Sequence, residues 1–106
     1  MNKRNKLLPL TETTFYVMTA LRSPGHGYQV MQTIEEMSGG DVRIAAGTMY
    51  GALESLLKQN LIQALPSKDP RRKIYQTTPL GLEILDLDKK RMLKMINALE
   101  TEMKVE

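Results

Sequence analysis

Apolar residues recur at helical spacing in three blocks before residue 60, then alternate briefly, then return to helical spacing to the end of the chain. In the first block Phe15, Val17, Met18 and Leu21 stand two to four residues apart, and Thr11 is placed to cap a helix running to Leu21. Ser23-Pro24-Gly25 breaks it. A second helix is predicted over Gly27–Met37, with Tyr28, Val30, Met31 and Ile34 inward and Glu35-Glu36 outward, ending at Ser38-Gly39-Gly40. Val42–Ile44 reads as a brief strand or an extended piece. The third helix spans Ala46–Gln59, where Met49, Leu53, Leu56 and Leu57 follow the i, i+4, i+7, i+8 rule, and Asn60 suits a left-handed stop. Leu61–Leu65 and Arg72–Thr77 read as two strands around the turn-rich Pro66-Ser67-Lys68-Asp69-Pro70. Thr78 followed by Pro79 is a helix start, and a final helix of about 25 residues, on the order of 38 Å, meets no strong breaker.

Three helices, a hairpin and a long helix form the layout of a winged helix-turn-helix. The predicted fold class is mainly α with a small β-hairpin. Residues 1–78 would be a winged-helix unit with a basic N-terminal arm (Lys3, Arg4, Lys6), and residues 79–106 a C-terminal dimerisation helix, within one compact domain.

Composition narrows the chemistry. A chain of 106 residues is one domain's worth of polypeptide and has no room for a deep enclosed active site. It has no Cys and a single His, which removes most zinc and iron–sulfur sites and all thiol chemistry. The carboxylate clusters Glu35-Glu36 and Asp86/Asp88 read as solvated faces, since adjacent helical residues diverge by about 100°. No enzyme, metal site or cofactor is expected. No apolar run approaches a membrane span, and the start lacks the apolar stretch of a signal peptide, so a cytoplasmic protein is expected. The net charge of +3 is uneven. Residues 1–77 carry ten basic and six acidic side chains and residues 78–106 five and six, so an anionic partner suits the first part.

Two features would meet such a partner. On the third helix Gly47, Thr48, Gly51, Glu54, Ser55 and Lys58 lie opposite the apolar stripe, with Tyr50 on the flank. Small residues let a helix approach a major groove, although an ordinary surface helix carries the same pattern. At the hairpin tip Lys68, Arg71, Arg72 and Lys73 fall within six residues, enough to lie along a phosphate backbone, and equally a solvated basic turn. His26 suits a structural turn position and Tyr75 a half-buried one. Tyr28 is expected in the core, and Tyr50 either reaches a phosphate or packs beneath the hairpin.

In the last helix Met92, Ile96, Leu99 and Met103 step by four, three and four, the seam of a helix pair. With Leu85 they are the expected dimerisation residues, although the helix could equally fold back on the chain's own first helix, or face both ways.

His26-Gly27-Tyr28, Gly47-Thr48-Met49-Tyr50, Leu61-Ile62, Arg72-Lys73-Ile74-Tyr75 and Thr78-Pro79-Leu80-Gly81, in this order over about residues 8–85, resemble the PadR family of bacterial transcriptional regulators, in its compact branch with one C-terminal helix. The resemblance implies a homodimeric repressor on a near-palindromic operator in double-stranded DNA, released by a small ligand or another signal, and control of detoxification or efflux genes. Thr48, Tyr50, Ser55 and Lys58 would then face the major groove, and Lys68, Arg71, Arg72 and Lys73 the flanking phosphates. A small-molecule effector would sit between the last helix and Leu7–Leu21, with Phe15, Met18, Met92 and Met95 as lining. Three positions depart from the family pattern. Ser55 replaces a frequent Arg, which weakens the expectation of a bidentate base contact; Asn60 replaces Gly; Thr77 replaces an apolar residue. The absence of Trp removes any stacking platform of the kind drug-binding relatives carry. The alternative is a winged-helix protein–protein interaction module without sequence-specific DNA binding, which Glu54 and Ser55 favour slightly.

Overall fold

The computed structural model describes residues 5–101; Lys3 and Arg4 of the basic arm and Met103 of the seam lie outside them. The chain forms α1 (Glu12–Ala20), α2 (Gly27–Met37), α3 (Ala46–Lys58), β1 (Ile62–Leu65), β2 (Ile74–Thr77) and α4 (Pro79–Glu100). The helix starts follow from their side chains. Thr11 Oγ1 accepts from the Thr14 amide at 3.1 Å, and Thr78 Oγ1 accepts from the Gly81 amide at 3.0 Å, with Pro79 needing no donor partner. Asn60 takes the left-handed conformation (φ 60°) after α3, as do Gly39 and Gly40 after α2.

β1 and β2 pair antiparallel, with Ile62 opposite Thr77 and Leu65 opposite Ile74. Val42–Ile44 is extended and joins no sheet; the place beside β2 is taken by Gly25, whose amide and carbonyl exchange bonds of 3.0 and 2.9 Å with Tyr75. Ile44 is held by burial instead.

One core gathers Val17, Met18 and Leu21 from α1, Val30 and Ile34 from α2, Met49, Leu53 and Leu56 from α3, Leu61 and Ile62, Tyr75, and Ile84 and Leu85 from α4. Each such side chain contributes about 1.5–3 kcal/mol on burial. Thr77, polar where an apolar residue was expected, is buried and satisfied: its Oγ1 donates to the Met18 carbonyl at 2.8 Å and its amide donates to the Leu21 carbonyl at 2.8 Å, tying β2 to α1. Gly81 lies where α4 crosses the entry to β1, and a Cβ there would overlap the Leu61 carbonyl oxygen.

Two core expectations change. Tyr28 is 64% exposed, because Gly27, Val30 and Ile34 define the buried stripe of α2 and position 28 lies about 100° off position 27. Leu85, expected in the dimer seam, packs into the chain's own core beside Ile84. From Asp88 onward α4 leaves the core. Asp88 itself is buried, and its Oδ1 accepts from Arg91 Nε at 2.6 Å.

Candidate nucleic-acid interface

The buried stripe Met49, Leu53 and Leu56 fixes the rotation of α3, so Gly47, Thr48, Tyr50, Gly51, Glu54, Ser55 and Lys58 all face outward. A Cβ on Gly47 or Gly51 would meet nothing within 4 Å. The chain's own packing therefore does not require glycine at either position, and the face is open to close approach from outside. Ala45 provides no side-chain cap, which leaves the first amides of α3 without an intrachain side-chain acceptor. Ser55 and Lys58 have partners on the helix: Ser55 Oγ accepts from Gln59 Nε2 at 3.0 Å, and Lys58 Nζ lies 3.7 Å from Glu54. Both pairs are exposed and of the weak i, i+4 kind, about 0.3–0.5 kcal/mol, so an incoming phosphate or base can displace them.

At the wing, Asp69 organises the tip. Its Oδ1 accepts from the Arg71 amide at 2.9 Å and from Arg71 Nε at 3.3 Å, and its carbonyl accepts from the Arg72 amide at 3.0 Å. This carboxylate offsets the charge of Arg71 alone. Lys68, Arg72 and Lys73 are exposed and have no carboxylate within salt-bridge distance among the described residues.

Between wing and helices lies an open cleft of about 430 Å³. Its walls are His26, Gly27 and Tyr28 at the start of α2, Tyr50 of α3, Arg71–Lys73 of the wing, and Tyr75 of β2. It places the outward flank of α3 and the wing cations around one concavity. His26 caps α2, its Nδ1 accepting from the Gln29 amide at 3.4 Å. At Gly27 a Cβ would come within 3.3 Å of Tyr50 Cε1, so the ring would have to shift by a few tenths of an ångström to admit one. Tyr75 is buried, and burial first, then the neighbouring Tyr50, pushes its hydroxyl pKa above the ordinary tyrosine value. Sequence reasoning placed Tyr75 as half-buried and Tyr28 in the core, and brought neither to this cleft. The alternation of β2, with Tyr75 and Thr77 on the inner side, was the available signal.

The remaining predicted residues separate. Ile96 and Leu99 are exposed along the outer half of α4, 50% and 86%, with Leu93 and Met95 beside them, and Met92 is half-buried. A second cavity, of about 410 Å³, lies between α1 and α4. Leu10, Phe15, Tyr16 and Met92 give it an apolar wall, and Glu12 and Asp88 border it. Met18 and Met95 do not line it: Met18 is fully buried in the core, and Met95 lies past it, with its sulfur 3.6 Å from Arg91 Nη1. Among the described residues no group of three or more His, Asp or Glu is placed to hold a metal ion, and no helix is long and apolar enough to cross a membrane.

Residues 17–87 match the transcriptional regulator PadR-like family. An uncharacterised 37.1 kDa protein from a Streptomyces fradiae transposon is 35% identical over 72 residues, which are 68% of this chain and 20% of that protein. The chain thus spans about a fifth of the length of that relative. Among solved structures, a PadR family transcription regulator of Clostridium difficile superposes with a TM-score of 0.67 at 23% identity, over 84% of this chain and 94% of that one. Bacillus subtilis PadR in complex with operator DNA superposes with a TM-score of 0.64 at 16% identity, over 91% of this chain and 51% of that one.

Proposed function

Since the chain belongs to the PadR-like family, whose members are transcriptional regulators and not enzymes, we propose that it is a dimeric repressor that binds a near-palindromic operator in duplex DNA. The observation that carries this reading is the shared concavity: Tyr50, on the outward side of α3, and the wing cations Arg71, Arg72 and Lys73 line one cleft, and the exposed Gly47, Thr48 and Gly51 lie on the same helix. Thr48 enters the major groove with Tyr50 at its edge against the backbone, Ser55 and Lys58 follow once released from Gln59 and Glu54, and Lys68, Arg71, Arg72 and Lys73 lie on the flanking phosphates. The operator-bound Bacillus subtilis relative supports this docking.

Residues 1–78 act as the DNA-binding unit and residues 79–106 as the dimerisation helix. In the latter, Met92, Ile96 and Leu99 supply the seam, and Leu85 supports it from within. The exposed apolar stripe favours a partner helix, and a two-fold pair sets two copies of α3 on successive turns of one duplex face. The cavity between α1 and α4, with Phe15 and Met92 in its wall, is the place for a small releasing ligand. Its bordering carboxylates favour neutral or cationic molecules over anionic ones. The regulated genes serve detoxification or efflux, and the protein acts in the cytoplasm.

A mobility-shift titration at about 150 mM salt tests the reading, with duplex from the protein's own upstream promoter against a scrambled control. Discrete binding to the promoter alone is the expected result. Association that is equal on both duplexes and vanishes with salt, repeated on duplexes recovered by genome-wide selection, overturns it in favour of a protein-binding winged helix.

A further inference from the structure

We propose that the cleft between α2, α3 and the wing is a seat for one backbone phosphate of duplex DNA, and that the Tyr75 hydroxyl on β2 is a donor at its floor. The proposal rests on the DNA-binding reading above and names the atoms that hold the strand.

Tyr75 is the central observation. The residue is 5% exposed, and its hydroxyl makes no hydrogen bond within the described chain. No buried side-chain oxygen or nitrogen among the described residues lacks a partner, so this hydroxyl retains access to solvent, and Tyr75 is one of the residues that line the cleft. A phenylalanine would fill the same core position without a polar atom to satisfy. A tyrosine hydroxyl is protonated at neutral pH, and burial moves its pKa further up, so it can act as a donor.

The other walls are matched to an anion. His26 uses Nδ1 as the acceptor that caps α2, which leaves Nε2 as the ring nitrogen not engaged in the cap, on a residue of the cleft. The first turn of α2 has no acid, and its leading amides lie at the same wall. Gly27 lets the Tyr50 ring close against that helix start. Arg72 and Lys73 supply charge from the wing, and no carboxylate lines the cleft. Neutral donors below and cations beside form a site for a phosphate oxyanion. Tyr50, shared between the cleft wall and the outward side of α3, selects a duplex backbone over a free phosphate.

The test uses the full chain and a duplex recovered by selection from a random-sequence library. Tyr75→Phe keeps the buried ring, and Tyr50→Phe changes an exposed side chain on which folding does not depend. Each is expected to weaken binding about three- to ten-fold at every salt concentration, the loss of one hydrogen bond. Neither changes the salt slope, because a neutral donor releases no counterion, whereas Arg72→Ala reduces the slope by about one unit. Replacing single phosphates by methylphosphonate should weaken the wild type most at one position per half-site, and that penalty should shrink in Tyr75→Phe. If both tyrosine variants bind like the wild type while Arg72→Ala is weakened, DNA binding stands and the seat falls. If the wild type retains no duplex, both fall. If inorganic phosphate shifts the tyrosine resonances of the wild type only, and Tyr75→Phe leaves DNA affinity intact, the ligand is a free phosphate and the backbone assignment is overturned.

Discussion

Between Pro79 and Asp88 the last helix buries Gly81, Ile84, Leu85 and Asp88; from Lys89 to Thr101 no residue is buried. The hydrophobic content of the two halves is similar, with Leu80, Leu82, Ile84, Leu85 and Leu87 in one and Met92, Leu93, Met95, Ile96 and Leu99 in the other. What differs is the neighbour. The first half lies against α1 and β2, close enough that glycine is required under the Leu61 carbonyl. The second half runs past the end of that support. A continuous helix therefore combines a segment that the fold requires with a segment that awaits a partner, and an apolar stripe on its own does not distinguish them.

This contrast can be broken at its strongest point first. Gly81→Ala places a Cβ against the Leu61 carbonyl, which accepts from the Thr78 amide at 3.0 Å and cannot move away without losing that bond. A loss above about 4 kcal/mol is expected, most of the stability of a domain this size, seen as a collapsed thermal transition by circular dichroism. Next, Asp88→Ala leaves the Arg91 guanidinium, 20% exposed at its side chain, without its carboxylate. A loss of about 1–3 kcal/mol in urea unfolding is expected, below the full cost of a wholly buried charge, with part recovered when Arg91→Met is added. On the outer half, Ile96→Asp and Leu99→Asp should change the stability of a single chain by less than about 0.5 kcal/mol, since both side chains already face solvent. They should instead convert a dimer to a monomer in sedimentation velocity, remove the concentration dependence of Tm, and reduce operator affinity by more than about tenfold. A monomeric wild type would end the comparison.

The smallest effect lies at the junction. Lys90 first, then Lys89, holds the Asp86 carboxyl below its ordinary pKa through exposed pairs of 2.9 and 3.1 Å. A pKa lowered by folding means the folded state binds fewer protons. The stabilisation is present above the unfolded value and fades as pH falls through the folded one, below about pH 4. Asp86→Asn should therefore remove a small stabilisation at neutral pH, leave stability below the folded pKa unchanged, and so flatten the acid limb of the profile.

Much of the fold was legible in the sequence because its signals are local. Gly27–Met37 was bounded by His26 and Ser38 as predicted, α3 ended one residue before the expected Gln59, and Thr78-Pro79 started α4 where capping chemistry required. Val42–Ile44 has strand-forming residues, but a strand needs an edge to pair with, and Gly25 holds the place beside β2. The wing cations and the open face of α3 were also legible, because their exposure follows from the residues opposite them. The cleft they flank was not. Its walls come from positions 26–28, 50 and 71–75, which no window of sequence brings together.

The sequence by itself determined the element order, the caps and breaks, the inward stripes of α2 and α3, and the basic character of the hairpin tip. These depend on dihedral preferences and periodicities that act over seven or eight residues. The tertiary structure decided which apolar positions were already used. It took Leu85 and Met18 into the core, left Ile96 and Leu99 in solvent, turned Tyr28 outward and set Tyr75 in the wall of the cleft. Burial is set by whatever distant segment packs across a residue, and the residue's own neighbours in the chain do not carry that information.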